Sequence, residues 1–249
     1  MIRLRFEKAS QIFECDNVQI VLPLDEIIEN VNIIKQAEAA RSLLIAEIPP
    51  LVLEDDADAV KEKLSRVKEL GVTDALAENI GAVNMAKEAG MCIHGGFALN
   101  ILNSVSLGEY EALGLSSATL SAELEFSKVK AIKHGIPIGM ITYGYLPMMK
   151  FRACPARAAS GCGSCNGHPV ITDRKNVSFN IICRSRKYSE LLNCVPVYVG
   201  DKSVPKLDFE ELYFTFESKE QCERISGMYI EKAAPDFDRT AGLYFRELL

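Results

Sequence analysis

The sequence contains no tryptophan and only three histidines, so His-based catalytic sites have little support in it. An H-E-x-x-H helix, the zinc-binding pattern of many metalloproteases, is absent. His94 and His134 fall at a predicted strand end and a predicted helix end, and no nucleophile signature accompanies either one. His168 is interpreted as a solvated loop residue. The sequence therefore gives no Ser/His/Asp or Cys/His arrangement typical of hydrolases.

Positive charge and long apolar runs are also scarce. Lys and Arg number 28 against 34 Asp and Glu, which gives a net charge of -6 and disfavours a broad nucleic-acid-binding surface. A local cationic cleft near the cysteines is still compatible with this balance. No apolar run reaches the ~20 residues that a membrane span needs, and the first residues, MIRLRFEK, form no apolar signal segment. We expect a cytoplasmic protein with no membrane association.

Cysteine, in contrast, is frequent, with eight in 249 residues. Cys154, Cys162, Cys165 and Cys183 follow the spacing C-x7-C-x2-C-x17-C. A C-x2-C pair on a glycine-containing turn can bring two sulfurs together while the other two approach from neighbouring loops. The spacing predicts a site with four thiolate ligands, and it fits a zinc ion as well as a [4Fe-4S] cluster.

The other readings of the cysteines are disulfides and small apolar residues. Disulfides are disfavoured because the sequence shows no export segment toward an oxidising compartment. Unligated cysteines commonly behave as small hydrophobic residues, and this interpretation suits four of the eight. Two of these four, Cys194 and Cys222, are alternatives to Cys183 as the fourth ligand, although Cys183 closes the site at shorter range. The four are Cys15, Cys92, Cys194 and Cys222. Cys222 is predicted on the apolar face of a helix, beside Ile225 and Tyr229.

The first part of the chain alternates short apolar segments with amphipathic ones, most of which end at glycine. The amphipathic segments predicted as helices include residues 26 to about 41 and residues 125–134. Such repetition is typical of right-handed βα units. Eight predicted strands, counting the last one after the cysteines, favour a closed TIM-barrel-like (β/α)8 fold over an open sheet. The predicted strands cover residues 3–6, 18–24, 43–48, 73–77, 91–94, 118–121, 137–143 and 211–216.

Residues 145–208 interrupt this alternation, and we interpret residues 1–249 as one domain carrying a Cys-rich insertion after the seventh strand. Short antiparallel strands are predicted at 177–182 and 195–199, with no helix longer than ten residues. A bound metal would replace the core that so irregular a segment lacks. Because the insertion leaves from the carboxyl end of a strand, we expect it over the barrel mouth, where such folds bind ligands.

Several motifs along the chain stand out, namely ENIG at 78–81, LNILNS at 99–104, LSAEL at 120–124, YGYLPMM at 143–149, CP at 154–155, GCGSC at 161–165, DRK at 173–175, LLNCVP at 191–196 and FTFES at 214–218. Together they resemble the U32 peptidase family, also called collagenase-like peptidases. The resemblance covers roughly residues 70–245. It implies a TIM-barrel-like domain whose cysteines bind a [4Fe-4S] cluster. Similar proteins hydroxylate RNA bases or a quinone precursor, some with prephenate as oxygen donor, and others carry an older protease label.

The resulting hypothesis is an iron–sulfur enzyme that hydroxylates an RNA base or a small ring compound. Arg152, Arg174 and Arg184 would bind a carboxylate or phosphate of the substrate or donor. Asn79 and Glu123, at predicted strand ends, are further candidates for substrate binding. No catalytic residue is predicted, and association with another polypeptide is compatible with the hypothesis. The alternatives are a collagenase-like peptidase and a zinc-stapled binding module without catalytic activity.

Overall fold

The structure, a computed structural model, describes residues 1–162, 165, 167–184 and 186–245, and for residues 158–160 it describes the backbone alone. Both regular elements of the sequence pattern are present, strands and the helices between them. The strands are β1 (Ile2–Phe6), β2 (Gln19–Pro23), β3 (Leu43–Glu47), β4 (Asp74–Ala77), β5 (Cys92–Gly95), β6 (Leu115–Thr119), β7 (Ile138–Gly144), β8 (Pro147–Phe151), β9 (Val170–Thr172), β10 (Ser178–Arg184), β11 (Tyr188–Leu192), β12 (Val197–Tyr198) and β13 (Phe209–Phe214). The α-helices are α1 (Leu24–Glu29), α2 (Asn32–Ala39), α3 (Ala57–Glu69), α4 (Ile80–Glu88), α5 (Ser104–Leu113), α6 (Phe126–Val129), α7 (Pro155–Ser160) and α8 (Lys219–Ile230).

Strands β1 to β7 and β13 form a closed barrel of parallel strands. Each pairs with its neighbours in parallel register, β6 pairs with β7, and β13 lies between β7 and β1. The predicted TIM-barrel-like fold is therefore confirmed. None of the helices in the described residues is long and apolar enough to cross a membrane.

Two predicted helices differ from the observed ones. The segment predicted as one helix from 26 to about 41 is divided into α1 and α2, which are separated by Asn30 and Val31. The helix predicted over 125–134 is the single turn α6. The turn that follows it is held by tighter bonds, from the Ala131 amide to the Lys128 carbonyl and from the Ile132 amide to the Val129 carbonyl, which end the α-helix early.

The barrel strands alternate between two environments. On β1, Leu4 and Phe6 belong to the apolar core that the strands share with the helices, whereas Arg3 and Arg5 occupy the intervening positions. Apolar side chains inside the barrel form a small separate cluster of Val21, Ile45 and Leu76. The rest of the barrel interior combines charged side chains such as Arg3, Arg5 and Glu211 with the rings of Phe209 and Tyr213, in contrast to the branched apolar layers that usually fill such barrels.

The insertion forms its own antiparallel sheet, with the strand order β8-β11-β10-β9. Its buried core consists of Ala156, Ile181 and Leu191. Strand β12 then returns to the barrel and pairs antiparallel with the end of β7, where Val197 faces Gly144. The strands predicted at 177–182 and 195–199 correspond to β10 and β12. Strands β8, β9 and β11 were not predicted.

Candidate active site at the barrel mouth

A cavity of about 390 Å³ lies between the carboxyl ends of β1, β2 and β3 and the inserted sheet. Barrel residues form one wall, and residues of β10, β11 and the preceding loop form the other. The insertion therefore covers part of the barrel mouth, as its point of departure predicted. The lining includes Glu7, Lys8, Glu47 and Pro50 from the barrel, and Gly167, His168, Cys183, Arg184 and Tyr188 from the insertion.

Arg184 joins the insertion to the barrel. Its guanidinium donates hydrogen bonds to both carboxylate oxygens of Glu7, and its Nε donates to Glu190 Oε2 at 2.8 Å. Tyr213 donates its hydroxyl to Glu7 Oε1 at 2.6 Å. Burial alone would raise the pKa of Glu7, but the Arg184 cation outweighs it and lowers that pKa. Glu7 is therefore an ionised partner that fixes the position of β10.

Arg5 organises the floor of the mouth. Its Nε and one terminal nitrogen donate to the two oxygens of Glu47 at 3.0 and 2.8 Å, and the other nitrogen donates to Glu78 Oε1 at 2.6 Å. Glu78 Oε2 accepts the Ala98 amide at 2.7 Å. A Cβ atom at Gly96 would lie 2.5 Å from the Glu78 carboxylate, so only glycine leaves room for it there. The Arg5 guanidinium therefore holds the carboxylates of Glu47 and Glu78 in fixed positions.

Glu47 is the acid of this group whose environment suits proton transfer. It lines the cavity and is only 3% exposed. Burial raises its pKa despite the opposing Arg5 cation. A buried carboxyl with a raised pKa beside a cavity is a candidate general acid or base.

The predicted metal-binding cysteines lie at one part of the insertion. Cys154 precedes α7, and Cys162 and Cys165 follow it; the Cys165 amide donates to the Cys162 carbonyl at 3.4 Å. The Gly167 amide donates to Cys165 Sγ at 3.4 Å. The Cys183 amide in turn donates to the Gly167 carbonyl at 3.0 Å. Gly167 thus links the C-x2-C turn directly to β10.

The eight cysteines are all free thiols. In the described part of the chain, no three sulfurs of the predicted set lie within 4.8 Å of one another, whereas the ligand atoms of Asp74, Cys92 and His94 do. The predicted set of Cys154, Cys162, Cys165 and Cys183 stays a prediction. Cys222 lies in the main apolar core, on the helix face predicted for it. Cys92, interpreted as a small hydrophobic residue, is exposed, so that interpretation is wrong.

Comparison with known families decides the membership of the chain. The model of Peptidase family U32 matches residues 22–168, more than half of the sequence and all of it from β2 to the loop before β9. The chain belongs to peptidase family U32. The resemblance drawn from the motifs is therefore confirmed. No curated protein matches the sequence.

A solved structure of a U32 peptidase agrees with the fold of this U32 chain. The U32 peptidase Mk0906 is similar over 88% of this chain and 94% of its own, with 14% identity and a TM-score of 0.50. CutC from Streptococcus agalactiae is similar over 56% of this chain and 86% of its own, with 13% identity and a TM-score of 0.44. At 14% identity, the similarity to the U32 peptidase Mk0906 bears on the fold alone.

Two predicted substrate-binding residues of the U32 chain have structural partners of their own. Asn79 caps α4, since its Oδ1 accepts the Ala82 amide at 2.9 Å and its Nδ2 donates to the Pro50 carbonyl at 3.2 Å. Arg184 lines the mouth cavity, but its fork is already occupied by Glu7 and Glu190. A substrate carboxylate would have to compete with these protein carboxylates for Arg184.

The other three predicted residues are exposed and dispersed. Glu123 lies on the loop after β6, where its amide donates to Ser121 Oγ at 3.2 Å. Arg152 follows β8, and Arg174 lies in the turn between β9 and β10. The structure thus places Arg184, of the five predicted residues, in the wall of the mouth cavity.

Sequence reasoning did not single out several residues of the cavity. Glu7 and Lys8 directly follow β1, so the rule that places ligand sites at carboxyl strand ends could have found them. His168 was interpreted as a solvated loop residue, yet it is half-buried in the cavity wall. Burial, reinforced by the nearby Lys8 cation, lowers the pKa of His168. Its position three residues after the C-x2-C pair was the available signal.

Proposed function

We propose that this U32 protein is an iron–sulfur enzyme in which Cys154, Cys162, Cys165 and Cys183 hold a [4Fe-4S] cluster beside the mouth cavity. The substrate would be a small ring compound that undergoes hydroxylation. The proposal rests on one observation, the joint lining of the cavity by Cys183 and by the barrel acids Glu7 and Glu47. Ligands of such barrels bind at this end.

The donor set fits the cluster in its chemistry. Four thiolates are the usual ligands of [4Fe-4S] clusters, and hydrogen bonds to the sulfurs tune their potential. The Gly167 amide already donates to Cys165 Sγ, and such hydrogen bonds to the sulfurs are common around clusters of this kind. Cys154 is partly buried against the insertion core, so a ligand there would also support the sheet. When bound, the cluster would supply one-electron transfer.

The protein residues of the cavity would bind and orient the substrate. A volume of about 390 Å³ suits one ring with its substituents. Lys8 is exposed in the cavity lining and could pair with a substrate carboxylate, such as that of prephenate. Glu47 would give or take a proton at its carboxyl group. A base extended from an RNA strand is the alternative occupant, which the net charge of -6 makes less favourable.

The test is metal and sulfide analysis of protein purified without oxygen. We expect iron and acid-labile sulfide in equal amounts, together with broad visible absorption. Cys165→Ser should remove most of the iron, whereas Cys15→Ser, a partly buried cysteine outside the insertion, should not. Colourless protein with one zinc ion and no sulfide would contradict the proposal and leave the zinc-stapled binding module.

Peptide hydrolysis is the second candidate because the family carries the name of a peptidase. One chain of hydrogen bonds resembles a catalytic triad: His94 contacts Ser117 Oγ at 2.7 Å and Asp74 Oδ1 at 2.9 Å. Ser117 is buried, however, and its Oγ also accepts a hydrogen bond from Arg3 at 2.9 Å. A peptide bond cannot reach it there. Cleavage of a collagen peptide by iron-free protein would favour this second candidate.

A further inference from the structure

Asp74, Cys92 and His94 meet at the end of the barrel opposite the insertion. Asp74 and Cys92 are the first residues of β4 and β5, and they face each other in the parallel register. His94 is two residues farther along β5, so its side chain is on the same side of the strand as that of Cys92. The fold therefore places a sulfur, a nitrogen and a carboxylate oxygen together at the amino ends of two neighbouring strands.

The distances within this group approach those of a metal site. Asp74 Oδ1 lies 2.9 Å from His94 Nε2, and Cys92 Sγ lies 3.9 Å from the same nitrogen. All three ligand atoms lie within 4.8 Å of one another. Tetrahedral zinc bonds correspond to separations of about 3.3 Å for a nitrogen–oxygen pair and about 3.6 Å for a nitrogen–sulfur pair. The two observed distances therefore differ from those of a tetrahedral zinc site by only a few tenths of an ångström.

Outer partners already orient two of the three ligands. Thr73 donates its hydroxyl to the second oxygen of Asp74 at 2.8 Å. His94 Nδ1 lies 2.7 Å from Ser117 Oγ, which also accepts a hydrogen bond from Arg3 at 2.9 Å. With a metal on Nε2, Nδ1 carries the proton and donates it to Ser117, which has a second lone pair for it. Such outer contacts are characteristic of metal-binding histidines and carboxylates.

Burial and access are divided within the group. Asp74 and His94 are 9% and 5% exposed, whereas Cys92 is exposed. An ion can therefore enter beside Cys92 and bind to ligands that the barrel holds in place. The mixed sulfur, nitrogen and oxygen donors suit zinc better than the hard cations magnesium and calcium, which prefer oxygen ligands alone.

We infer that Asp74, Cys92 and His94 form a zinc-binding site at the amino end of the barrel, separate from the cysteines of the insertion. Three protein ligands leave the fourth tetrahedral position to water. Binding of Zn²⁺ releases the thiol proton of Cys92 to solvent, while the proton of His94 moves from Nε2 to Nδ1 and the ring stays neutral. The site does not depend on the proposed iron–sulfur function.

Alkylation mapped residue by residue reports the labelling of Cys92 separately from that of the other cysteines. The full-length protein is treated with iodoacetamide, with and without one equivalent of Zn²⁺, and the labelling rate of each cysteine is measured by peptide mass spectrometry. We expect zinc to slow the labelling of Cys92 and to leave that of Cys15 unchanged. His94→Gln should remove this protection, whereas Cys165→Ser, in the insertion, should keep it.

Two further variants keep the test decisive. If His94→Gln does not give a native circular dichroism spectrum, Asp74→Asn removes the charged ligand at nearly constant shape and should also abolish the protection. Ser117→Ala should weaken zinc affinity by about 10- to 100-fold, because the histidine loses its outer partner. Labelling of Cys92 at the same rate with and without zinc, or protection that survives the folded ligand variants, would overturn the inference.

Discussion

The barrel and the insertion are stabilised in different ways. The barrel strands and helices share one extensive apolar core, which includes Phe6, Leu22, Leu64 and Phe214. The buried core of the insertion contains only Ala156, Ile181 and Leu191 within the described residues. Since buried apolar area is the main source of folding free energy, the barrel can form from its own side chains. The insertion depends more heavily on its contacts with the barrel and on any ligand that it binds.

The two regions also differ in where their charged side chains lie. The barrel interior buries Arg3, Arg5 and Glu211 almost completely, while the insertion exposes Arg152 and Arg174. Buried charges are costly unless each one has a partner. The barrel therefore tolerates little change in its charged network, whereas most charges of the insertion can change freely. Arg184 and its buried partner Glu190 are exceptions, and Arg184 also connects the two regions.

The largest effect is expected for Arg5, the cation shared by Glu47 and Glu78. Arg5→Met keeps most of the side-chain volume but leaves both carboxylates without their cation. We expect a loss of about 3–5 kcal/mol in the free energy of unfolding, because a buried charge loses its partner. Urea unfolding at pH 7 measures it. Arg66→Met, at a surface pair with Glu69, should change stability much less.

Equal stability of the Arg5→Met and wild-type proteins would contradict this account. It would mean that the carboxylates take up protons or find other partners at little cost. Repeating the measurement at pH 5 would separate the two explanations, since proton uptake by the raised-pKa Glu47 makes the loss smaller at lower pH.

A smaller and more local effect is expected for Arg184. Arg184→Met removes the hydrogen bonds to Glu7 that hold the insertion against the barrel, and also the bond to Glu190 on the neighbouring strand β11. The local opening free energy of β10 and β11 should fall by about 2 kcal/mol, roughly thirtyfold in the opening constant. Amide hydrogen exchange should accelerate in these strands and stay unchanged in β2 to β5. Arg174→Met, at an exposed turn, is the control.

Uniform acceleration of exchange across the whole chain would contradict the division into two regions. In that case, loss of the Arg184 contacts would destabilise the barrel as much as the insertion. No acceleration at all would mean that the remaining contacts of the sheet, such as that of Lys150 with Glu190, suffice to hold it in place.

The barrel was predictable because its signal is local and repeated. Apolar segments such as 18–24 and 43–48 have the length of strands, and glycines such as Gly71 and Gly90 end the helices between them. The regular repetition of βα units then indicates the barrel fold, even where the contacts of individual side chains are unknown. The position of the insertion followed from the point where this period stops.

The charged interior was not predictable from the same signal. The segment Arg3–Phe6 looked like a weak strand because it carries two arginines. Their partners, including Glu47, Glu78 and Glu211, come from strands far away in the sequence, and only barrel closure brings them together. The site at Asp74, Cys92 and His94 was missed for a similar reason. Its ligands lie on two strands, so they show no recognisable spacing along the chain.

The smallest effect concerns Glu217, at the strand ends where the insertion leaves the barrel. Its carboxylate accepts the Tyr143 hydroxyl at 2.6 Å and the Thr215 amide at 2.6 Å, but burial dominates and raises its pKa. The favourable contribution of Glu217 to stability is therefore fully present below the unfolded pKa of about 4.3 and is lost as pH rises through the raised folded value. Glu217→Gln removes this titration.

The stability of the wild type relative to Glu217→Gln should consequently fall between pH 4 and pH 7, by about 1.4 kcal/mol for each pKa unit of the shift. Urea unfolding of both proteins at several pH values measures this difference. Glu220→Gln is the matched control, because its exposed carboxylate accepts the Ser218 hydroxyl at 2.8 Å, which lowers its pKa and reverses the sign of the pH dependence. A stability difference between wild type and Glu217→Gln that stays constant or rises with pH would contradict this prediction. It would show that water reaches Glu217 just beyond the end of β13, so that the buried charged region would be confined to the barrel interior.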